Sequence, residues 1–478
     1  MKIAIAASEA APFSKTGGLG DVIQALPEAL SSIPNNEVYV FLPYYGKMKR
    51  DSRWDCEFLT SFSINLAWRS CYVGLYRLKT KRKKLHFYFI DNEQYFDRDT
   101  IYGQTDDGER FAFFSKAILA SMAWLGFRAD VLHCNDWQTA LVPVILNAEY
   151  RHVFPDTKTV FTIHNIEYQG WASLNFNFDV LGLPGEYTEI LRYGEASNFM
   201  KAAIMSADAV STVSETYAGE LQYPYFSHGM SGILSMRSED FYGITNGIDI
   251  HVFNPKTTAG IPYNFDAKTM TEEKPKNKQA LQQELGLQED AEAPLFAIVS
   301  RLAGHKGVDI LCYIVHALMA RKAQLAVVGT GEAQYEQALT ALAAQYPGQM
   351  AVRLAFDPNL ANRVYAGADG YLMPSKSEPC GLSQLIAMHF GTIPVVHATG
   401  GLRDTVLPYN PETGEGRGFT FQSYNGEDFM DAIDRAIRLY RDDRAAWNKL
   451  AAKDMQLDVS WKTPANTYME MFYRVINK

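Results

Sequence analysis

The sequence predicts an α/β protein made of two nucleotide-fold-like halves that face a cleft. Two observations carry this reading. Short apolar runs of strand length alternate with helix-sized stretches in two separate series, and a polar stretch without apolar periodicity divides the series. The length agrees: 478 residues exceed what one hydrophobic core supports, since single cores rarely grow beyond about 250 residues.

In the first series, Ile3 to Ala7 reads as a buried strand, and Val22, Leu26, Ala29 and Ile33 fall at helical spacing after a glycine-rich loop. Further strands are expected at Val38 to Leu42, Val131 to His133, Thr159 to Ile163 and Ala209 to Val213. The basic run Lys79 to Lys84 separates two strand-like segments, Tyr72 to Leu78 and Leu85 to Ile90, and reads as an exposed hairpin turn. Residues 254–280 read as a connecting segment. The second series places strands at Leu295 to Val299, Leu325 to Val328, Ala351 to Leu354, Gly370 to Met373 and Ile393 to Val396, with a helix over Asp309 to Ala320. The last segment spaces Ala465, Tyr468, Met469, Phe472 and Val475 along one helical face. The domains are therefore drawn at 1–250 and 251–459, with 460–478 returning to the first.

Composition narrows the partners. A formal charge of −9 disfavours nucleic acid and anionic membranes, which need a basic field, and leaves a neutral polymer compatible. Five scattered cysteines without a CxxC pair indicate neither a disulfide framework nor a zinc site, which suits a reducing compartment. The apolar run after Lys2 is too short for a signal-peptide core, and no stretch reaches the 18 or more apolar residues of a membrane span. A cytoplasmic protein is expected.

In open α/β sheets, ligands collect beyond the carboxyl ends of the strands. Lys15, with Gly17, Gly18 and Gly20, occupies such a loop, which suits either a phosphate or a tight structural turn. SRLAGHKG follows the first strand of the second half and carries Arg301 and Lys306, either a diphosphate clamp or a solvated basic loop. PSKSEPCGLSQL opens a helix near Leu382; its Glu378 either accepts sugar hydroxyls or caps that helix. His164 with Asn165, and Asp136 with Trp137, stand at strand ends in the first half, as functional or as satisfied structural groups.

Other signals carry less. Asp97 and Asp99 form a DxD in a polar loop with no third ligand, so no metal site is assigned. The Gly329 to Gly331 pattern lacks the third glycine of a dinucleotide fingerprint. Cys380 has no dedicated base and reads as packing beside Glu378.

Taken in order, KTGGLGDV, NDWQTAL, TIHNIEYQG, TVSETYA, ITNGID, SRLAGHKG, PSKSEPCGLSQL and TGGLRDTV resemble the motifs of bacterial glycogen and plant starch synthases over nearly the whole chain. The resemblance implies two Rossmann-like domains facing a deep inter-domain cleft, the GT-B arrangement. It also implies a retaining, metal-independent transfer of glucose from ADP-glucose to glycogen or a malto-oligosaccharide, with no cofactor. By motif position, Lys15, Gly18, Asp21 and Asn246 approach the donor from the first domain, and Arg301 and Lys306 from the second. The segment of Cys380, Gly381, Leu382 and Ser383 meets the distal phosphate. Glu378 is placed near the glucose hydroxyls, and Asp136, Trp137 and His164 on the sugar side, with Tyr95 along the acceptor path. Catalysis is then assigned to His164, Glu378, Arg301 and Lys306.

Retention needs either a carboxylate nucleophile or a front-face process in which the departing phosphate takes the acceptor proton, and the residues favour the second. Two positions depart from the family pattern: Gln138 replaces a frequent histidine, and Phe356 a tyrosine that stacks on the base. UDP-glucose therefore stays open as donor. Transfer to a small acceptor, or an inactive glucan-binding protein, are the competing readings.

Overall fold

The two series of apolar runs form a mixed, mostly parallel sheet and an all-parallel sheet in the computed structural model, which describes residues 1–478, and each sheet centres its own unit. One unit is Met1–Asn246 with Trp461–Lys478; the other is Gly247–Ser460. No helix is long and apolar enough to cross a membrane.

The first unit holds β1 (Lys2–Ala6), β2 (Glu37–Pro43), β3 (Cys56–Leu66), β4 (Arg69–Leu78), β5 (Leu85–Asp91), β6 (Val131–Asn135) and β7 (Lys158–Ile163). A side sheet of β8 (Trp171–Ala172), β9 (Arg192–Tyr193) and β10 (Ala196–Asn198) precedes β11 (Ala209–Thr212) and β12 (Phe241–Gly243). The main sheet runs β12-β11-β7-β6-β1-β2-β5-β4-β3. Its central strands are buried on both faces, which is why they read as continuous apolar runs and not as alternation. β3, β4 and β5 pair antiparallel, and Lys79 to Lys84 form the exposed turn between β4 and β5. The helix Lys462–Ile476 buries Ala465, Tyr468, Met469, Phe472 and Val475 in the same core as the helix Gly18–Ser32.

The second unit holds β13 (Leu295–Val299), β14 (Gln324–Val328), β15 (Met350–Arg353), β16 (Gly370–Met373), β17 (Ile393–His397) and β18 (Phe419–Phe421), all parallel, in the order β15-β14-β13-β16-β17-β18.

One expectation fails here. The connecting segment drawn over 254–280 contains the start of a helix, Met270–Leu285. Hydropathy misses it because Lys274, Asn277, Lys278 and Gln282 point inward between the buried Met270, Leu281 and Leu285 and break the apolar period. Lys274 Nζ donates to the carbonyls of Tyr365, Ala366 and Phe390 and to Thr392 Oγ1, and burial pushes its pKa down to about 7. Lys278 Nζ reaches Asp369 at 2.8 Å and the Ala293 carbonyl at 2.6 Å. These ammonium groups close backbone carbonyls that would otherwise be orphaned, so the helix is fixed by hydrogen bonds that no apolar period announces.

Candidate active site

In each sheet, consecutive strands leave the centre in opposite directions at one point, and there the loops splay apart to leave a crevice. In the first unit, β1 lies between β6 and β2, so the crevice falls beyond the carboxyl ends of β1 and β6. In the second it falls beyond β13 and β16. The loops after these four strands carry Lys15, Asp136, Arg301 with Lys306, and Glu378 respectively.

Beyond β1, Lys15 is exposed and its Nζ lies 2.6 Å from Asp21 Oδ1. Burial raises the Asp21 pKa, against the pull of that ammonium. Gly18 opens the helix Gly18–Ser32, whose first amides have no intrahelical acceptor. The loop is a tightly strapped turn, as the structural reading has it, and it leaves Lys15 and Gly18 exposed.

Beyond β6, Asp136 has φ 58° and ψ 177°, a backbone region that side-chain-bearing residues avoid at a cost of about 1–3 kcal/mol. Its Oδ1 accepts the amides of His164 at 2.7 Å and Asn165 at 3.3 Å. Burial nevertheless pushes its pKa up to about 7. His164 Nε2 donates to Asn135 Oδ1 at 2.9 Å, and Asn135 Nδ2 in turn donates to the Ala6 carbonyl. Burial takes the His164 pKa down to about 3, so this imidazole is neutral with Nδ1 free of the proton. Trp137 packs edge-on against Phe111 and over Gly170, whose φ of 70° and lack of a side chain admit the indole. Asn246 is buried with Oδ1 unpartnered.

Beyond β13 and β16, Lys306 Nζ donates to Glu378 Oε2 at 2.7 Å, and Ser375 Oγ donates to the same oxygen at 2.9 Å. Of the two cations of SRLAGHKG, Lys306 is thus paired and Arg301 is exposed. The capping reading of Glu378 fails, because the helix starts at Ser383 and its carboxylate is held by Lys306 and Ser375. Gly307 fixes the two loops together: φ is 76°, and an added Cβ would stand 2.0 Å from the Pro374 carbonyl oxygen. Gly381 has φ 74° and lets the chain turn into Leu382 and Ser383, while Cys380 is buried.

TGGLRDTV acts on the same loop. The amide of Gly401 donates to the carbonyls of Glu378 and Pro379, and a Cβ there would lie 2.2 Å from the Cys380 carbonyl oxygen. Gly401→Ala must therefore displace the backbone of Cys380, two residues beyond Glu378. We expect kcat to fall roughly 10- to 100-fold and the thermal midpoint to drop by a few degrees, as judged by steady-state kinetics and calorimetry.

Two residues sit less simply. Tyr95 is 2% exposed, and its hydroxyl donates to Glu109 Oε1 at 2.6 Å. It lines a polar pocket of about 790 Å³ with Lys49, Arg69, Tyr72, Asp91 and Glu109. Phe356 is 83% exposed in a loop, with its ring face open. Asp97 gives both carboxylate oxygens to Arg50 Nη1. Residues that sequence reasoning missed are Glu9, Ser375 and His397, whose Nδ1 lies 2.7 Å from the Ser375 carbonyl. Only Glu9 has a legible signal, as an acid inside an otherwise apolar stretch at a strand end.

The starch synthase catalytic domain matches residues 2–236, and the glycosyl transferases group 1 domain matches residues 278–454. A glycogen synthase of Exiguobacterium sibiricum is 44% identical over 100% of this chain and 99% of its own. One from Desulfitobacterium hafniense is 42% identical over 99% and 98%. The chain belongs to the glycogen synthase family. It is thus a glycosyltransferase, and its two α/β units form a GT-B type fold. The catalytic domain of starch synthase IV from Arabidopsis thaliana, solved with ADP and acarbose bound, superposes with a TM-score of 0.92 at 32% identity, covering 100% of this chain and 99% of that one. Sucrose-phosphate synthase from Thermosynechococcus elongatus, at 18% identity and a TM-score of 0.62, shares the fold alone.

Proposed function

We propose that this family member transfers glucose from ADP-glucose to the non-reducing end of an α-1,4-glucan, with retention and without a metal ion. The observation that best supports this reading is the Lys306–Glu378 contact between the two switch-point loops of the second unit. It puts a cation suited to a diphosphate beside a carboxylate suited to sugar hydroxyls. Arg301 joins Lys306 on the leaving group, and Lys15 and Asp21 serve the donor from the first unit. Phe356 offers its ring to the base, and Asn246 its unpartnered amide oxygen to the donor. The amides of Gly381, Leu382 and Ser383 meet the distal phosphate. Asp136, Trp137 and His164 contact the sugar, and Tyr95 stands on the acceptor side.

A retaining front-face transfer breaks the bond from the anomeric carbon to the diphosphate oxygen and forms one to the acceptor O4. The acceptor proton passes to the departing diphosphate. His164 is a poor alternative base, because burial holds its pKa at about 3. Its part is to orient and stabilise positive charge developing on the sugar. The cation set replaces the charge a metal would carry. Five free cysteines and a net charge of −9 fit a cytoplasmic enzyme with neither membrane nor nucleic-acid partner.

The test is to offer labelled ADP-glucose and UDP-glucose separately with glycogen, in the presence of EDTA. We expect elongated glucan from ADP-glucose at a rate roughly tenfold or more above UDP-glucose, unaffected by the chelator. Activity that disappears in EDTA and returns with a divalent ion would overturn the metal-independent step. Label found only in a short disaccharide would favour the small-acceptor reading.

A further inference from the structure

The glycine loop that should greet the donor already contains an anion of its own. Glu9 is 2% exposed, and its Oε2 accepts the Thr16 amide at 2.5 Å and the Thr16 hydroxyl at 2.8 Å. The amides of Gly17 and Gly20 also favour its charged form, against burial, which raises its pKa. A Cβ at Gly17 would stand 3.5 Å from Glu9 Oε1, so carboxylate and loop backbone are in contact. The strand end that carries Glu9 is pinned on both sides. Tyr45 Oη donates to the Ser8 carbonyl at 2.7 Å, and Tyr102 Oη lies 2.7 Å from Ser8 Oγ. The loop is strapped a second time by Ala10 and Ser14, whose amides and carbonyls pair at 3.0 Å, and by Ala11 donating to the Gly20 carbonyl.

A cluster of converging backbone amides in a glycine loop is an anion receptor. Here Glu9 fills it from within. We infer that Glu9 is a positioning residue for donor binding: its carboxylate holds the amide and hydroxyl of Thr16 and lies against Gly17, and so keeps Lys15 and Gly18 in the shape that meets the donor diphosphate. The diphosphate is then read by the Lys15 ammonium and by the remaining first-turn amides of the helix Gly18–Ser32. Glu9 itself touches no substrate. A buried carboxylate is retained here because without it the Thr16 amide and hydroxyl would be left with no acceptor, and the loop would lose its one geometry.

This inference rests on the donor role proposed above for Lys15 and Gly18. Its test is a ratio between variant and parent, so it can fail separately from that reading. The full chain is made with Glu9→Ala, Glu9→Gln and Thr16→Val. With whichever nucleotide sugar the parent uses, Glu9→Ala is expected to raise donor KM at least about tenfold while glycogen KM stays within about twofold. Glu9→Gln keeps an acceptor oxygen for Thr16 and should recover part of that loss. Thr16→Val in the Glu9→Ala background should add little, because the two side chains act through one contact. Hydrogen exchange gives a readout that needs no substrate: the amides of Thr16 and the loop residues beside it should exchange at least about tenfold faster in Glu9→Ala, with amides in β1 and β6 unchanged. Unchanged exchange at those amides overturns the inference, as does a donor KM within twofold of the parent. An equal rise in donor and glycogen KM with faster exchange across the whole unit also overturns it, since that marks a general structural role.

Discussion

Lys306→Ala is expected to lower kcat on the nucleotide-sugar donor by roughly 10²- to 10³-fold, with glycogen KM within about a factor of two. A cation held in place before reaction stabilises charge only as it develops on the diphosphate, so its loss appears in kcat more than in binding. The substitution also strands Glu378, which is 6% exposed and would keep only the Ser375 hydroxyl on the oxygen Lys306 now meets at 2.7 Å. A buried acid deprived of its partner costs several kcal/mol, and partial exposure of Lys306 reduces this to about 1–3 kcal/mol. The double variant Lys306→Ala/Glu378→Gln removes the stranded charge. Its thermal midpoint should return toward the parent while its activity stays low. Turnover by Lys306→Ala within fivefold of the parent would remove this lysine from the chemistry.

Asp136→Asn is expected to make the protein more stable and less active, with the stability gain dependent on pH. The Asp136 carboxyl is pushed up to about 7 by burial, from an ordinary value of 3.8. A carboxyl whose folded value is raised leaves stability intact below pH 4 and erodes it as pH rises toward and through 7, because the unfolded chain ionises first. Asparagine does not titrate and can still accept the His164 amide. The gain over the parent should thus be near zero at pH 4 and reach about 2–4 kcal/mol above pH 7.5. Each tenfold change in proton affinity is worth about 1.4 kcal/mol, and the partial exposure of Asp136 lowers the total. Asp136→Gly would relieve the φ 58° backbone by about 1–3 kcal/mol at every pH, but it takes the acceptor from the His164 and Asn165 amides at a similar cost, so its stability should fall below that of Asp136→Asn. Both should lose roughly 10- to 100-fold in kcat/KM if the charge holds a sugar hydroxyl. Unfolding curves at pH 5 and 8.5 with matched kinetics decide it; a gain equal at both pH values for Asp136→Asn would contradict the burial argument.

The two-sheet organisation could be read from residue order because parallel strands buried on both faces leave uninterrupted apolar runs such as Ile3 to Ala6 and Leu325 to Val328. The motifs, which combine glycines with a few charged residues at strand ends, were enough to name the family and to nominate Lys15, Arg301, Lys306, Glu378, Asp136 and His164. The helix Met270–Leu285 was hidden because Lys274, Asn277, Lys278 and Gln282 share its inward face with Met270, Leu281 and Leu285, and a buried hydrogen-bonded lysine looks in sequence like an exposed one.

What the amino-acid order determined alone was therefore period and type: where strands and helices fall, and which residue kinds lie at the loops. Partnership was decided by the tertiary structure. That Glu378 meets Lys306 across 72 positions, that Glu9 fills the loop of Thr16, and that Asp136 accepts the amide of His164 follow only once strands distant in sequence become neighbours in a sheet. Ionisation belongs to the same level, because the pKa of Asp136 or His164 is set by the water removed around it, and desolvation is a property of the packed neighbourhood and not of the chain.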